Sequence, residues 1–239
     1  MGKPLITQRR GKGSPSFKAR STRFKAEAKY RPYDEKEKGL LKFKIIDLVD
    51  DPARTSLLME VRYEDGTTLM LPAPEGVYVG QELEEGYNAS LSIGNILPLE
   101  KVPEGYPVFN LETSVGDGGS LARSSGSVAY VVSKSGNQVL VKLPSGQMKY
   151  FDGRSRATIG NACGGGRTEK PMLKAGVGYY KAIARGHWYP MVRGVKMNPY
   201  DHPFGGKQHH GAITPKGVGG APGQHVGSFG AKRTGRRKR

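Results

Sequence analysis

The residues best equipped for chemistry are gathered near the C-terminal end: Asn198, Asp201, His202, His209 and His210, interleaved with Tyr200, Phe204, Lys196 and Lys207. Histidines beside an aspartate can ligate a metal or pass protons. Metal ligation needs a frame that presents the side chains at a fixed spacing, and no cysteine pair or helical repeat supplies one here. Catalysis needs a nucleophile, an orienting group and a pocket, and no Gly-x-Ser-x-Gly elbow occurs. The adjacent Asp201 and His202 project apart more often than together. These groups suit contact with nucleic acid better than a reaction. The surrounding backbone agrees: Pro199 and Pro203 remove donors and fix φ, and Gly205 and Gly206 tolerate close approach, so no long helix or inner strand is expected over 194–211.

The charge pattern points to the same class of partner. Of 239 residues, 38 are Lys or Arg and 21 are Asp or Glu, a net charge of +17. Residues 1–42 carry +9, residues 43–120 carry −10 and residues 121–239 carry +18. A chain so charged repels itself and seeks polyanions. Apolar residues make up 36%, low for a chain that is all core. No run of about 18 apolar residues is present and no leader-like stretch opens the chain, so a cytosolic protein without a membrane partner is expected. The single Cys163 excludes a disulfide framework and any multi-cysteine zinc site, and reads as a small apolar side chain.

The segments that must position these groups read as two β domains between basic arms. Residues 1–38 form a basic N-terminal extension in which Arg9, Arg10, Lys12, Lys18, Arg20, Arg23 and Lys25 alternate with Gly, Ser and single aromatics. Such an arm follows phosphates while Phe17, Phe24 and Tyr30 stack or anchor. Residues 39–103 hold strand-length runs at 41–49 and 56–63, then Asp65-Gly66 between apolar flanks, a strong hairpin signal. Runs at 77–79 and 89–93 complete five expected strands of an OB-like barrel. Residues 104–120, rich in Gly and Pro, read as a linker. Strand-length runs at 127–133, 138–143, 147–151 and 157–160 predict an SH3-like barrel within 121–185, followed by a short helix or turn. Here the exposed positions turn basic, at Lys134, Lys142, Lys149, Arg154 and Arg156. Gly164-Gly165-Gly166-Arg167-Thr168 lacks the Gly-Lys-Ser/Thr of a nucleotide loop. Residues 186–239 form a C-terminal extension whose last eight residues carry six positive charges.

The segment Arg193-Gly194-Val195-Lys196-Met197-Asn198-Pro199-Tyr200-Asp201-His202-Pro203-Phe204-Gly205-Gly206 resembles a signature of the universal large-subunit ribosomal protein two family, in its archaeal or eukaryotic-like version. Gln8 to Gly13, Gly116 to Gly119, Val141 to Gly146, Arg156 to Gly160 and Lys174 to Gly176 also match it. Phe204 stands where the bacterial version usually has His. The resemblance spans nearly the whole chain and implies a mainly β fold, an OB-like barrel followed by an SH3-like barrel, with long irregular basic N- and C-terminal extensions. It implies no enzyme but a structural constituent of the large ribosomal subunit in the cytoplasm: a primary rRNA-binding protein supporting subunit association, tRNA binding and the architecture around the peptidyl-transferase centre. The partners implied are large-subunit rRNA, neighbouring large-subunit proteins and the small subunit through an intersubunit bridge, without self-oligomerisation. No cofactor is expected, although a structural Mg²⁺ shared with rRNA is compatible with the reading. Asp201 and His202 fall at positions once suspected of chemistry in the family and are read here as positioning RNA. The full set of expected RNA contacts adds Arg167, Lys174, Arg185, Trp188, Arg193, Lys196, Asn198, Lys207, His209, Arg233, Arg236, Arg237, Lys238 and Arg239 to the basic residues already named. His187-Trp188-Tyr189 carries the only tryptophan, which either plugs an apolar cluster or stacks on an unpaired base.

Overall fold

A computed structural model describes residues 2–32 and 39–207. The chain divides into two compact units, one formed by Thr22–Pro171, the other by Met1–Ser21 with Met172–Arg239.

The first unit is the β body. Its strands are β1 (Leu40–Val49), β2 (Leu58–Tyr63), β3 (Thr68–Pro72), β4 (Glu82–Gly86), β5 (Ile96–Pro98), β6 (Pro107–Phe109), β7 (Ala129–Ser135), β8 (Gln138–Lys142), β9 (Met148–Asp152) and β10 (Arg156–Ile159). They join in one sheet in the order β3-β2-β1-β4-β5-β10-β6-β7-β8-β9. In this order β1 to β4 lie in one half and β6 to β10 in the other, with β5 joining them, and the mainly β architecture agrees with an OB-like part followed by an SH3-like part. Alternating apolar residues face two separate cores. Phe43, Ile45, Met59, Val61, Leu71 and Ile96 belong to one, and Leu97, Leu99, Val108, Val131, Val141 and Ile159 to the other. The adjacent Ile96 and Leu97 thus send one side chain into each core.

Several expectations are corrected. Residues 77–79 form no strand; Tyr78 and Val79 are exposed, and the strand is Glu82–Gly86. Its three acidic residues disguise it, yet Leu83 and Glu85 alternate inward. Residues 89–93 form no strand, and the strand follows at β5. The expected linker 104–120 contains β6 and gives Val108, Phe109 and Leu111 to the interior. Tyr30, expected on the arm, is buried, its hydroxyl donating to the Asn110 carbonyl at 2.8 Å and lying 2.6 Å from Thr158 Oγ1. Ala28 bridges Met70 beside it. Residues 22–32 therefore belong to the body.

The loop after β6 closes on itself through Asp117. Its carboxylate accepts from the backbone N–H of Thr113 at 2.7 Å and of Gly119 at 2.9 Å. Gly119 has φ 91°, and a Cβ there would strike the Asn110 side chain, so the Gly118-Gly119 pair is a geometric requirement.

Arg156 is the largest correction. Expected on the RNA-binding surface, it is 7% exposed, at the start of β10. Its guanidinium donates to Glu112 Oε1 at 2.7 Å and to Glu85 Oε1 at 2.9 Å, and its ring neighbour is Tyr30 at 5.2 Å. The Tyr63 hydroxyl donates to the other oxygen of Glu85. Burial raises the Glu85 pKa above its ordinary value, against the pull of Tyr63 and Arg156. The triad ties β4, β10 and the segment after β6, elements of both halves. Arg156→Ala leaves two carboxylates buried without their cation and is expected to cost about 3–5 kcal/mol in urea unfolding. The triple variant Arg156→Met, Glu85→Gln, Glu112→Gln is expected to lose less than that single change.

Candidate nucleic-acid interface

The second unit has a different composition. Residues 1–21 and 172–239 carry nineteen of the basic residues and one acidic residue, Asp201, for a net charge of +18. The β body, with nineteen basic and twenty acidic residues, is close to neutral at −1. Both apolar core clusters lie in the body, and neither helix of the second unit buries a residue. Those helices are α1 (Ile6–Gly11) and α2 (Ala175–Ala184). The extended arm expected at the N-terminus thus includes one helical turn and a half. Glycines at 176 and 178 and the absence of a side-chain cap leave α2 with weak intrinsic support.

Local contacts organise this unit in place of a core. Trp188 is half-exposed; Phe17 lies 5.6 Å from its ring and the Arg9 guanidinium 5.1 Å above it. The Lys3 backbone N–H donates to the Tyr200 carbonyl at 2.9 Å, and Lys3 Nζ to Asp201 Oδ1 at 2.9 Å. That hydrogen bond and the carboxylate's charge raise the Lys3 pKa. The turn 194–206 is wound on its own backbone: Asp201 and His202 N–H both donate to the Asn198 carbonyl, at 3.0 and 3.1 Å, and Gly206 N–H to that of Met197 at 3.1 Å. His202 Nδ1 accepts from the Phe204 N–H at 3.0 Å, which leaves the proton of the neutral ring on Nε2. Gly194 packs so closely on this imidazole that a Cβ would overlap the ring, and a Cβ at Gly205 would overlap the Asn198 carbonyl. Gly194 and Gly205 of the signature thus mark close approaches of the backbone. Arg10, Trp188, Met191, Met197, Asp201 and His202 share the lining of one cleft of about 60 Å³.

The remaining expected contacts are placed as follows. Lys12, Lys18, Arg20, Lys174, Arg185, Arg193, Lys196, Asn198 and Lys207 are exposed in this unit, and Arg23, Lys25, Arg154 and Arg167 are exposed on the β body. Arg154 contacts Asp152, and Arg167 donates to Ser125 Oγ at 2.9 Å. His209, Arg233, Arg236, Arg237, Lys238 and Arg239 lie outside the described residues, as do Gln208 and His210. Among the described residues no cluster of three or more His, Cys, Asp or Glu could hold a metal, and no helix is long and apolar enough to cross a membrane. Sequence reasoning missed Lys3 as the partner of Asp201 and Phe17 as the partner of Trp188. The sequence separations, 198 and 171 residues, left no local signal for either.

A near-neutral β body joined in one chain to a cationic unit whose described residues hold no apolar core has the charge distribution of a nucleic-acid-binding protein. Family models assign it further: residues 3–85 match "Ribosomal Proteins L2, RNA binding N-terminal domain" and residues 92–225 match "Ribosomal Proteins L2, C-terminal domain". Among curated relatives, the large ribosomal subunit protein uL2 of Methanocaldococcus jannaschii is 48% identical over 242 residues, covering 100% of both chains. Those of Methanobrevibacter smithii (47%, 98% of this chain and 99% of that one) and Methanothermobacter thermautotrophicus (45%, 100% of both) are similar along their whole length. The chain belongs to the ribosomal protein L2 family, a family of ribosomal proteins and not of enzymes.

Burial lowers the His202 pKa below its usual 6.5. A histidine held neutral in the fold contributes stability that is complete above the unfolded value of 6.5 and is lost as pH falls below it. The His202 ring protons are therefore expected to titrate below 6.5 by NMR, and the Phe204 amide to gain hydrogen-exchange rate, beyond its intrinsic pH dependence, as the imidazole charges.

Proposed function

We propose that the chain is a structural constituent of the large ribosomal subunit in the cytoplasm and a primary binder of its rRNA. The observation that carries this is the segregation of charge: nineteen cations and one carboxylate on a unit whose described residues hold no apolar core. The contacts among its described residues offset little of the repulsion between these cations, and closely packed RNA phosphates offset the rest. In this reading Arg9, Lys12, Lys18, Arg20, Lys174, Arg185, Arg193, Lys196 and Lys207 neutralise phosphates, joined by Arg23, Lys25, Arg154 and Arg167 from the body. Trp188, Asn198 and His202 meet bases or sugars. His209 and the terminal Arg233, Arg236, Arg237, Lys238 and Arg239 extend the cationic track. Arg156 has no part in it, since its charge is engaged inside the fold.

The same reading supplies the finer roles. The protein helps join the subunits through an intersubunit bridge, touches neighbouring large-subunit proteins, and supports tRNA binding and the RNA around the peptidyl-transferase centre, where the chemistry belongs to the RNA. A hydrated Mg²⁺ shared with rRNA phosphates fits beside such contacts, and no cofactor of the protein's own is invoked.

Counterion release makes the test direct. The logarithm of the binding constant for large-subunit rRNA fragments is expected to fall linearly with the logarithm of salt, with a slope of roughly −0.9 per phosphate neutralised on duplex. Replacing Lys196 or Arg193 by Gln is expected to reduce the slope by about one each. Structured rRNA is expected to outcompete random duplex at matched salt. A slope near zero would refute the proposal.

A further inference from the structure

A carboxylate is out of place on a surface that meets phosphates. Asp201 is nonetheless the one acidic residue of the cationic unit, and it lines the cleft beside Trp188. Its ion pair with Lys3 does not explain that placement, because both side chains are substantially exposed, at 36% and 57%, and such pairs contribute little. Among the described residues no hydrogen bond is accepted by Asp201 Oδ2, so the cleft that Asp201 lines has a spare anionic acceptor, which phosphate does not favour. What remains of a nucleic acid, once phosphate is excluded, is the edge of a base.

The rest of the cleft has the complementary features. Trp188 offers an aromatic wall, and Met191 and Met197 supply adaptable apolar surface. Arg10 brings donors that remain charged at any physiological pH. His202, with Nδ1 engaged by the Phe204 amide and its ring held neutral by burial, has only an N–H left to offer. An acceptor beside two donors, between an aromatic and an apolar wall, matches guanine in pattern. Its N1–H and N2–H point to the carboxylate, while O6 and N7 accept from Arg10 and the imidazole. Adenine would set its N1 lone pair against Asp201.

We propose that this cleft captures a nucleobase extruded from the rRNA, and that Asp201 selects guanine. This rests on the rRNA-binding reading above and adds a base-specific site to it. A base unpaired in a bulge or loop enters without the cost of opening a helix.

The test uses the full chain and short RNA hairpins that differ in one bulged nucleotide: guanosine, inosine, adenosine or none. Inosine removes only the N2 amino group. At matched salt the guanosine hairpin is expected to bind at least about tenfold more tightly than the inosine or adenosine hairpin. Trp188 is the only tryptophan, so its fluorescence should be quenched by the guanosine bulge and little changed by the unbulged stem. Asp201→Asn is expected to bring the guanosine-to-inosine ratio close to one, whereas a purely structural partner of Lys3 would change affinity for both hairpins alike. Equal affinity for guanosine and inosine in the unaltered chain, with the salt slope preserved, overturns the base site and leaves rRNA binding standing. Loss of all salt-dependent binding overturns both.

Discussion

Mutual repulsion among the cations of residues 1–21 and 172–239 is the constraint on which the rest of the molecule turns. An apolar core would oppose that repulsion by hydrophobic burial, but the described residues of that unit contain none. Its contacts are instead those available to polar, glycine-rich chain: a guanidinium over an indole, an ammonium on a carboxylate, a turn wound on its own amides. Each contributes at most about 1 kcal/mol when exposed. Together they preset a local shape, and a polyanion supplies the remaining stabilisation. The near-neutral body faces no such requirement and closes around two ordinary apolar cores.

The same logic explains why the body contains charge of a different kind. Arg156, Glu85 and Glu112 sit among apolar strands, with Tyr63 and Tyr30 against them. Burying one of these groups alone would be prohibitive, and burying them as a hydrogen-bonded set is tolerable. The set spans strands of both halves, so neither half can shift its register without breaking an ion pair.

Much of this is legible in the sequence, where local physics decides. β1, β2 and the Asp65-Gly66 hairpin follow from alternating apolar runs and turn chemistry, as do β7, β8 and β9. The division of charge is visible from residue counts, and the signature around Asn198 and Asp201 from its prolines and glycines. What stays hidden depends on partners distant in the chain. Glu82–Gly86 looks polar because Glu85 finds its cation 71 residues away at Arg156. Arg156 looks like surface for the same reason. Pro107–Phe109 looks like a linker because three residues carry no periodicity, and Tyr30 looks like part of an arm because its core neighbours are far along the chain. In the site, Arg9, Arg10 and the 193–207 residues are recognisable by type, whereas the Phe17–Trp188 and Lys3–Asp201 pairings require the fold.

β5 is only three residues long, yet it pairs with β10, more than fifty positions later, and feeds one side chain into each core. During synthesis from the N-terminus, the core that holds Leu97, Ala157 and Ile159 cannot be sealed until Arg156–Ile159 has emerged. The stretch from 172 onward, with thirteen of the basic residues, emerges after that. The order of translation therefore lets a scaffold of balanced charge mature before most of the sticky cationic tail is exposed to the crowd of nucleic acid around a nascent chain.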